Sequence, residues 1–226
     1  MLGNKDREFA QISNDLQILS AKVIDQFALT EALLANEWED ALYQKIPENE
    51  KAISYLKATL LEKIPKSAVL FSPKAADFRK LVACHDVTLL IEEIDNFLLG
   101  IVYSLEKVNL SDADYADFKS TMQKMLHSLK KSANAAIYSF IRENKPEALR
   151  ILGKATDIQQ LSAEITDNIV VSFQEIPLSG QQVLDIITLN KTACILEKIE
   201  SCILNIAKTT IYATEGTNLR HQLPQS

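Results

Sequence analysis

The residues best placed to do chemistry form two matched stripes. Positions 85, 89, 92, 96 and 100 read His85, Leu89, Glu92, Asn96 and Gly100, and positions 190, 194, 197, 201 and 205 read Asn190, Cys194, Glu197, Ser201 and Asn205. Steps of three and four put each set on one face of a helix, where consecutive turns can reach a common ligand. A hard cation asks for several oxygen donors, carboxylates above all. Each stripe offers one carboxylate, Glu92 or Glu197, with neutral oxygens from Asn96, Ser201 and Asn205. A divalent or iron-type metal would find a poor ligand set there. An enzyme or metal store built on the Glu92 and Glu197 faces is therefore the alternative reading, and ordinary solvated positions beside an apolar seam the simpler one. Glu93, Asp95, Lys198 and Glu200 fall off this face and are expected to point to water.

Other catalytic patterns are missing. The sequence has no Gly-rich phosphate loop, no HExxH and no GxSxG. None of His85, His127 and His221 lies three residues after a Glu, so the Glu-x-x-His pairs of di-iron bundles are absent. His127, between Leu126 and Leu129, reads as a partly exposed packing residue. Cys84, Cys194 and Cys202 include no CxxC pair, and the last two are eight residues apart, about 12 Å along a helix and too far for a disulfide. They read as reduced, mostly buried thiols. A net charge of -6 argues against nucleic acid as a partner. No uncharged apolar run approaches the roughly 18 residues of a membrane span, and no secretory signal is visible, so a soluble cytoplasmic protein is expected. The expected class is not an enzyme.

The elements that must carry the stripes repeat. With an offset of 105 residues, Ile91-Glu92-Glu93-Ile94 falls on Leu196-Glu197-Lys198-Ile199, and Ile101-Val102 on Ile206-Ala207. Five Gly and six Pro punctuate the whole chain, which favours long helices. A first helix is predicted from Asn4 to about Leu34, on the stripe Phe9, Ile12, Leu16, Leu19, Val23 and Phe27. A second starts at Glu37 with Trp38, kinks at Pro47 and ends at Pro65. Ser72 and Pro73 are read as the cap and first residue of a third, which includes Phe78 on its stripe. After a joint near 108–112, Ser111 and Asp114 open a fourth as a capping box. Asn144 caps a fifth, whose stripe runs from Leu149 to Ile169 and which Pro177 closes. Ser179 with Gln182 is the clearest capping box; it opens a sixth helix with Val183 and Ile187 on its stripe, stopped by Gly216. No stretch alternates with period two. The expected fold is all-α, two tandem antiparallel three-helix bundles related by a pseudo-two-fold repeat. Residues 1–109 form the first and 110–226 the second, with a mobile tail from about residue 217.

At these residues the chain resembles the PhoU-like phosphate uptake regulators, in particular the branch associated with low-affinity inorganic phosphate transporters. The likeness is diffuse and spans nearly the whole length. SPKAADFRKLVACHDVTLLIEEIDNFL resembles the third helix of that branch, which carries a His and then a D-x-x-x-D pair. His85 takes the histidine place, and Glu92 and Asn96 the acidic ones. VLDIITLNKTACILEKIESCILNIAKTTIYATEG resembles the closing helix, whose E-x-x-x-D and following Asp fall on Glu197, Ser201 and Asn205. The resemblance implies two tandem three-helix bundles and acidic pairs able to hold metal clusters; here Asn96 and Ser201 replace the second acid of each pair. It also implies regulation of phosphate uptake without turnover. The implied contact is with a membrane phosphate transporter or a sensor kinase, by a cytoplasmic protein held at the inner face of the membrane through its partner and capable of self-association.

Overall fold

The computed structural model describes residues 3–35, 39–108, 110, 115–153, 157–173 and 177–216. Helices run over Asn4–Ala35 (α1), Asp40–Tyr43 (α2), Lys45–Phe71 (α3), Ala75–Leu105 (α4), Ala116–Ile141 (α5), Lys145–Leu152 (α6), Asp157–Phe173 (α7) and Gly180–Glu215 (α8). No strand occurs among the described residues. Asn36, Trp38, the Ser111–Asp114 cap, most of the expected joint, the side chain of Ile169 and the tail from 217 lie outside them.

The helices assemble as two three-helix bundles in tandem. α1, α3 and α4 pack on one another, and α5, the α6–α7 pair and α8 do the same. The most extensive contact of all joins the two halves, between α4 and α8. One apolar cluster runs through both, from Leu19 and Phe27 of α1 to Met125 of α5 and Ile206 of α8. On α1 the expected stripe is the buried one: Ile12, Leu16, Leu19, Val23 and Phe27 are all at most 1% exposed. Phe9 closes its end, edge-on to Phe71 with ring centroids 6.5 Å apart.

Several local signals act as read. Asn144 Oδ1 accepts from the Glu147 backbone N–H at 3.2 Å. Ser179 and Gln182 form a reciprocal capping box, Oγ accepting from the Gln182 N–H at 3.2 Å and Oε1 from the Ser179 N–H at 3.0 Å. Ser179→Ala is expected to cost about 1 kcal/mol, visible as a lower denaturation midpoint. Gly216 ends α8 in the left-handed region at φ 78°, and a Cβ there would stand 3.5 Å from Arg79 Nε.

Other expectations are corrected. Pro65 does not end its helix: α3 continues to Phe71, because the buried series Leu60, Ile64 and Ser67 carries the seam past the proline. Burial along that seam outweighs the lost hydrogen bond. Ser72 is the left-handed C-cap of α3 at φ 41°, and α4 starts only after Lys74. The predicted kink at Pro47 is instead a break at Gln44, which leaves Pro47 in the first turn of α3, where its missing N–H costs nothing. The fifth helix is two, α6 and α7, because α6 stops at Gly153. Within α6 it is Ala148 and Ile151 that turn inward, so Leu149 is exposed. Val183 and Ile187 are exposed too. There Asp185 holds the inward position, accepting from Tyr115 Oη at 3.2 Å and Gln181 Nε2 at 2.8 Å. That contact fixes the inward phase as Asp185, Leu189, Thr192 and Leu196. Phe78 also lies half exposed.

Polar residues inside the bundles mostly satisfy themselves. Thr192, Thr209 and Thr210 of α8 donate to the carbonyls of Thr188, Asn205 and Ile206 at 2.8, 2.8 and 3.1 Å. Ser20 and Thr30 of α1 do the same to Leu16 and Gln26 at 2.6 and 2.9 Å. Each hydroxyl bonds one turn back within its own helix, so burial leaves no unpaired donor.

Candidate functional site on helices α4 and α8

α4 and α8 run antiparallel along the centre. Gly216 meets Arg79, the Cys202 thiol donates to the Glu93 carboxylate, and the Lys198 ammonium lies 5.9 Å from the Phe97 ring centroid. These contacts share one register, which brings Asp95 level with Glu200. The two acids are also equivalents under the 105-residue repeat, so the pseudo-two-fold axis passes between them.

The two stripes do occupy equivalent turns of this helix pair. Glu92 is half buried and ion-paired with Lys57 of α3. Asn96 is exposed, and open space surrounds Gly100. His85 Nδ1 lies 3.6 Å from its neighbour Asp86 Oδ1, both partly buried. On α8, Glu197 and Asn205 are half buried and Ser201 is exposed. The Ser201 hydroxyl is engaged by its own helix, donating to the Glu197 carbonyl at 3.1 Å. Asn190 Oδ1 accepts from Thr166 Oγ1 of α7 at 3.2 Å. Among the described residues no three His, Cys, Asp or Glu side chains converge as a metal centre. A hard cation at Glu92 would have to displace an ammonium, and at Glu197 it would find one carboxylate beside a committed hydroxyl. The donor set does not fit such an ion.

What the stripes do not contain is the more unusual chemistry. Asp95 and Glu200, expected to face water, are 2% and 9% exposed. Asp95 Oδ1 has no hydrogen-bond partner. Burial, aided by the Glu50 and Glu92 carboxylates, pushes the Asp95 carboxyl up to about 7. Glu200 lines a cleft of about 320 Å³ with Ser128, Lys131, Ser132 and Arg150. A signal for both was present. Ile91, Asp95, Leu98 and Val102, like Leu196, Glu200, Ile203 and Ala207, follow each other by four, three and four residues, so each acid sits in phase with a buried stripe.

The cysteines divide. Cys202 is buried and Cys84 nearly so, and burial pushes both thiols up to about 12, with Glu143 adding to the effect at Cys84 and Glu93 at Cys202. Such thiols stay protonated and inert at neutral pH. Cys194 is exposed, contrary to expectation, because its place in the α8 stripe faces outward. His127 is as expected, largely exposed, with Nδ1 3.4 Å from Glu31 Oε1 of α1 across the boundary between the halves.

No family model matches the chain, and no curated protein does. Solved structures do. The crystal structure of PhoU from Pseudomonas aeruginosa superposes with a TM-score of 0.82 at 18% identity, covering 94% of this chain and 99% of that one. The phosphate transport system regulatory protein PhoU from Streptococcus pneumoniae gives 0.78 at 15% identity, over 96% and 99%. Similarity at this identity, over the full length of both partners, is similarity of fold. The chain has the all-α fold of the PhoU proteins, two three-helix bundles in tandem joined along α4 and α8.

Proposed function

We propose that the protein is a non-enzymatic regulator of inorganic phosphate uptake, acting on the cytoplasmic side of the membrane by contact with a phosphate transporter or its sensor kinase. The observation that carries this reading is the end-to-end correspondence with two PhoU structures, which leaves almost no part of either fold unmatched. The site chemistry agrees with it. Glu92 is committed to a lysine, two of the three thiols are held protonated, and the hydroxyl of Ser201 serves its own helix. Fold likeness by itself carries no activity, so the reading needs a test of its own. The finer placement, beside a low-affinity phosphate permease, rests on the resemblance of residues 72–98 and 183–216 to that branch. No helix among the described residues is long and apolar enough to cross a membrane, so the contact would be peripheral.

The test is recovery of partners. Tagged protein would be isolated from solubilised membranes of its own organism grown in phosphate-rich and phosphate-poor medium. A phosphate permease or sensor kinase that co-purifies, in amounts that differ between the two conditions, is the expected result. Recovery of neither, with the protein folded and abundant, would leave the fold without the function.

A further inference from the structure

Along α5 one exposed row carries Lys124, His127, Lys131, Asn134, Tyr138 and, just past the helix end, Arg142. Steps of three and four keep all of them on one face. No acid interrupts the row: Asp117, the only acid of α5, stands about two turns before Lys124. Among the described residues Lys124, Lys131 and Arg142 form no ion pair. The Arg142 guanidinium lies 4.9 Å from the Tyr138 ring centroid, a contact that holds it along the row.

The carboxylates beside the row have cations of their own. Glu31 is paired with Lys130, Glu143 with Lys80 and Glu147 with Arg150. Asp25, in the groove between α1 and α5, stands 3.9 Å from Lys22. Glu200, which lines the cleft beside Lys131, is only 9% exposed. Each pair is neutral as a whole, so at the surface the cations of the row are uncompensated. They are so on a chain with 30 acids against 24 lysines and arginines.

The spacing narrows what such a row fits. From Lys124 to Lys131 and from Lys131 to Arg142 the chain advances close to two and three whole turns, so the charges stand nearly in line, about 10 and 16 Å apart. Carboxylates along one face of a second helix repeat at the same intervals and meet them singly. A bilayer asks for apolar residues to bury, and Tyr138 is the only exposed large hydrophobic of α5, its ring already against Arg142. A nucleic acid is held through many phosphates, on the order of six to ten contacts, more than this row supplies.

We propose that this face of α5 docks an acidic helix of a partner protein, its carboxylates on Lys124, Lys131 and Arg142. α5 packs against α1, so the docked helix lies beside the boundary between the two halves. This contact does not rest on the regulatory reading, because the charges of the face alone define it.

Fluorescence anisotropy of labelled helical peptides, about 25 residues long to span the row, tests it on the intact protein at low salt. One alanine-based peptide carries glutamates along a single face, and a second carries glutamines in their place. The glutamate peptide is expected to bind saturably and the glutamine peptide not to bind. Reversing the row with Lys124→Glu, Lys131→Glu and Arg142→Glu together is expected to weaken binding about tenfold or more. Lys51→Glu, Lys66→Glu and Lys191→Glu, which change the net charge equally at exposed sites on α3 and α8, are expected to weaken it by less than about threefold. No saturable binding of the glutamate peptide, or an equal loss in the two folded triple variants, would overturn the proposal. So would tighter binding of phosphatidylserine vesicles or duplex DNA than of that peptide.

Discussion

Asp95→Asn is expected to raise the melting temperature at about pH 8 and to leave it nearly unchanged at about pH 3, where the native carboxyl is largely protonated in both the folded and the unfolded chain. The unfolded chain releases the Asp95 proton near 3.8, whereas the folded protein holds it to about 7. Between those values the folded state binds more protons than the unfolded one. The stability tied to this group is therefore complete below the lower value, falls as pH rises through the window and stays low above it. A difference of about three pH units corresponds to roughly 4 kcal/mol, and the burial cost of the amide, like that of the neutral carboxyl, does not vary with pH, so a gain of about 4 kcal/mol is expected at the higher pH. For a chain of this size that is about 8–16 °C. Thermal melts of both proteins across the window would check it. An equal shift at every pH would mean that the carboxylate is accommodated in a way its burial and its unpaired Oδ1 do not show.

Phe27→Ala should be the most damaging single change of those considered. The ring is completely buried on α1, among residues that belong to both bundles. Removing it costs the transfer free energy of the ring plus a cavity that long, rigid helices close poorly, about 3–5 kcal/mol. Because the cluster is continuous, the loss should lower one cooperative transition common to the whole chain. Hydrogen exchange followed separately in α3 and α7 would show it, with both losing protection together. A variant in which α7 keeps its protection while α3 opens would establish that each bundle folds for itself.

Much of this architecture could be read from local chemistry. The Ser179–Gln182 box, the Asn144 cap and the Gly216 stop act within a few residues, so the sequence states them without reference to the rest of the fold. Pro65 and Ser72 were misleading for the opposite reason. The burial of Ile64 and Ser67 against neighbouring helices keeps α3 going, and burial is a property of the assembled protein. Of the expected site, the doubled placement of Glu92 and Glu197 was legible from the repeat. Their commitments were not, since the Lys57 pairing depends on how α3 meets α4. Asp95 and Glu200 were hidden by chemistry rather than by distance. Acids are read as solvated by default, even where their spacing matches the apolar series on either side.

The threonines and serines that bond back into their own helices bear on how this fold tolerates change over time. A buried hydroxyl that relied on a group across the seam would tie two positions together, and losing either would strand the other. Thr210 also stands 3.4 Å from Ser139 Oγ of α5, but Ser20, Thr30 and Thr192 bond back to the carbonyls of Leu16, Gln26 and Thr188 in their own helices. Each of these three can be exchanged for valine or alanine at a cost confined to its own contacts, with no matching substitution elsewhere. Helices built in this way can drift one residue at a time. That freedom is in keeping with a fold shared at 15% and 18% identity over nearly the entire chain.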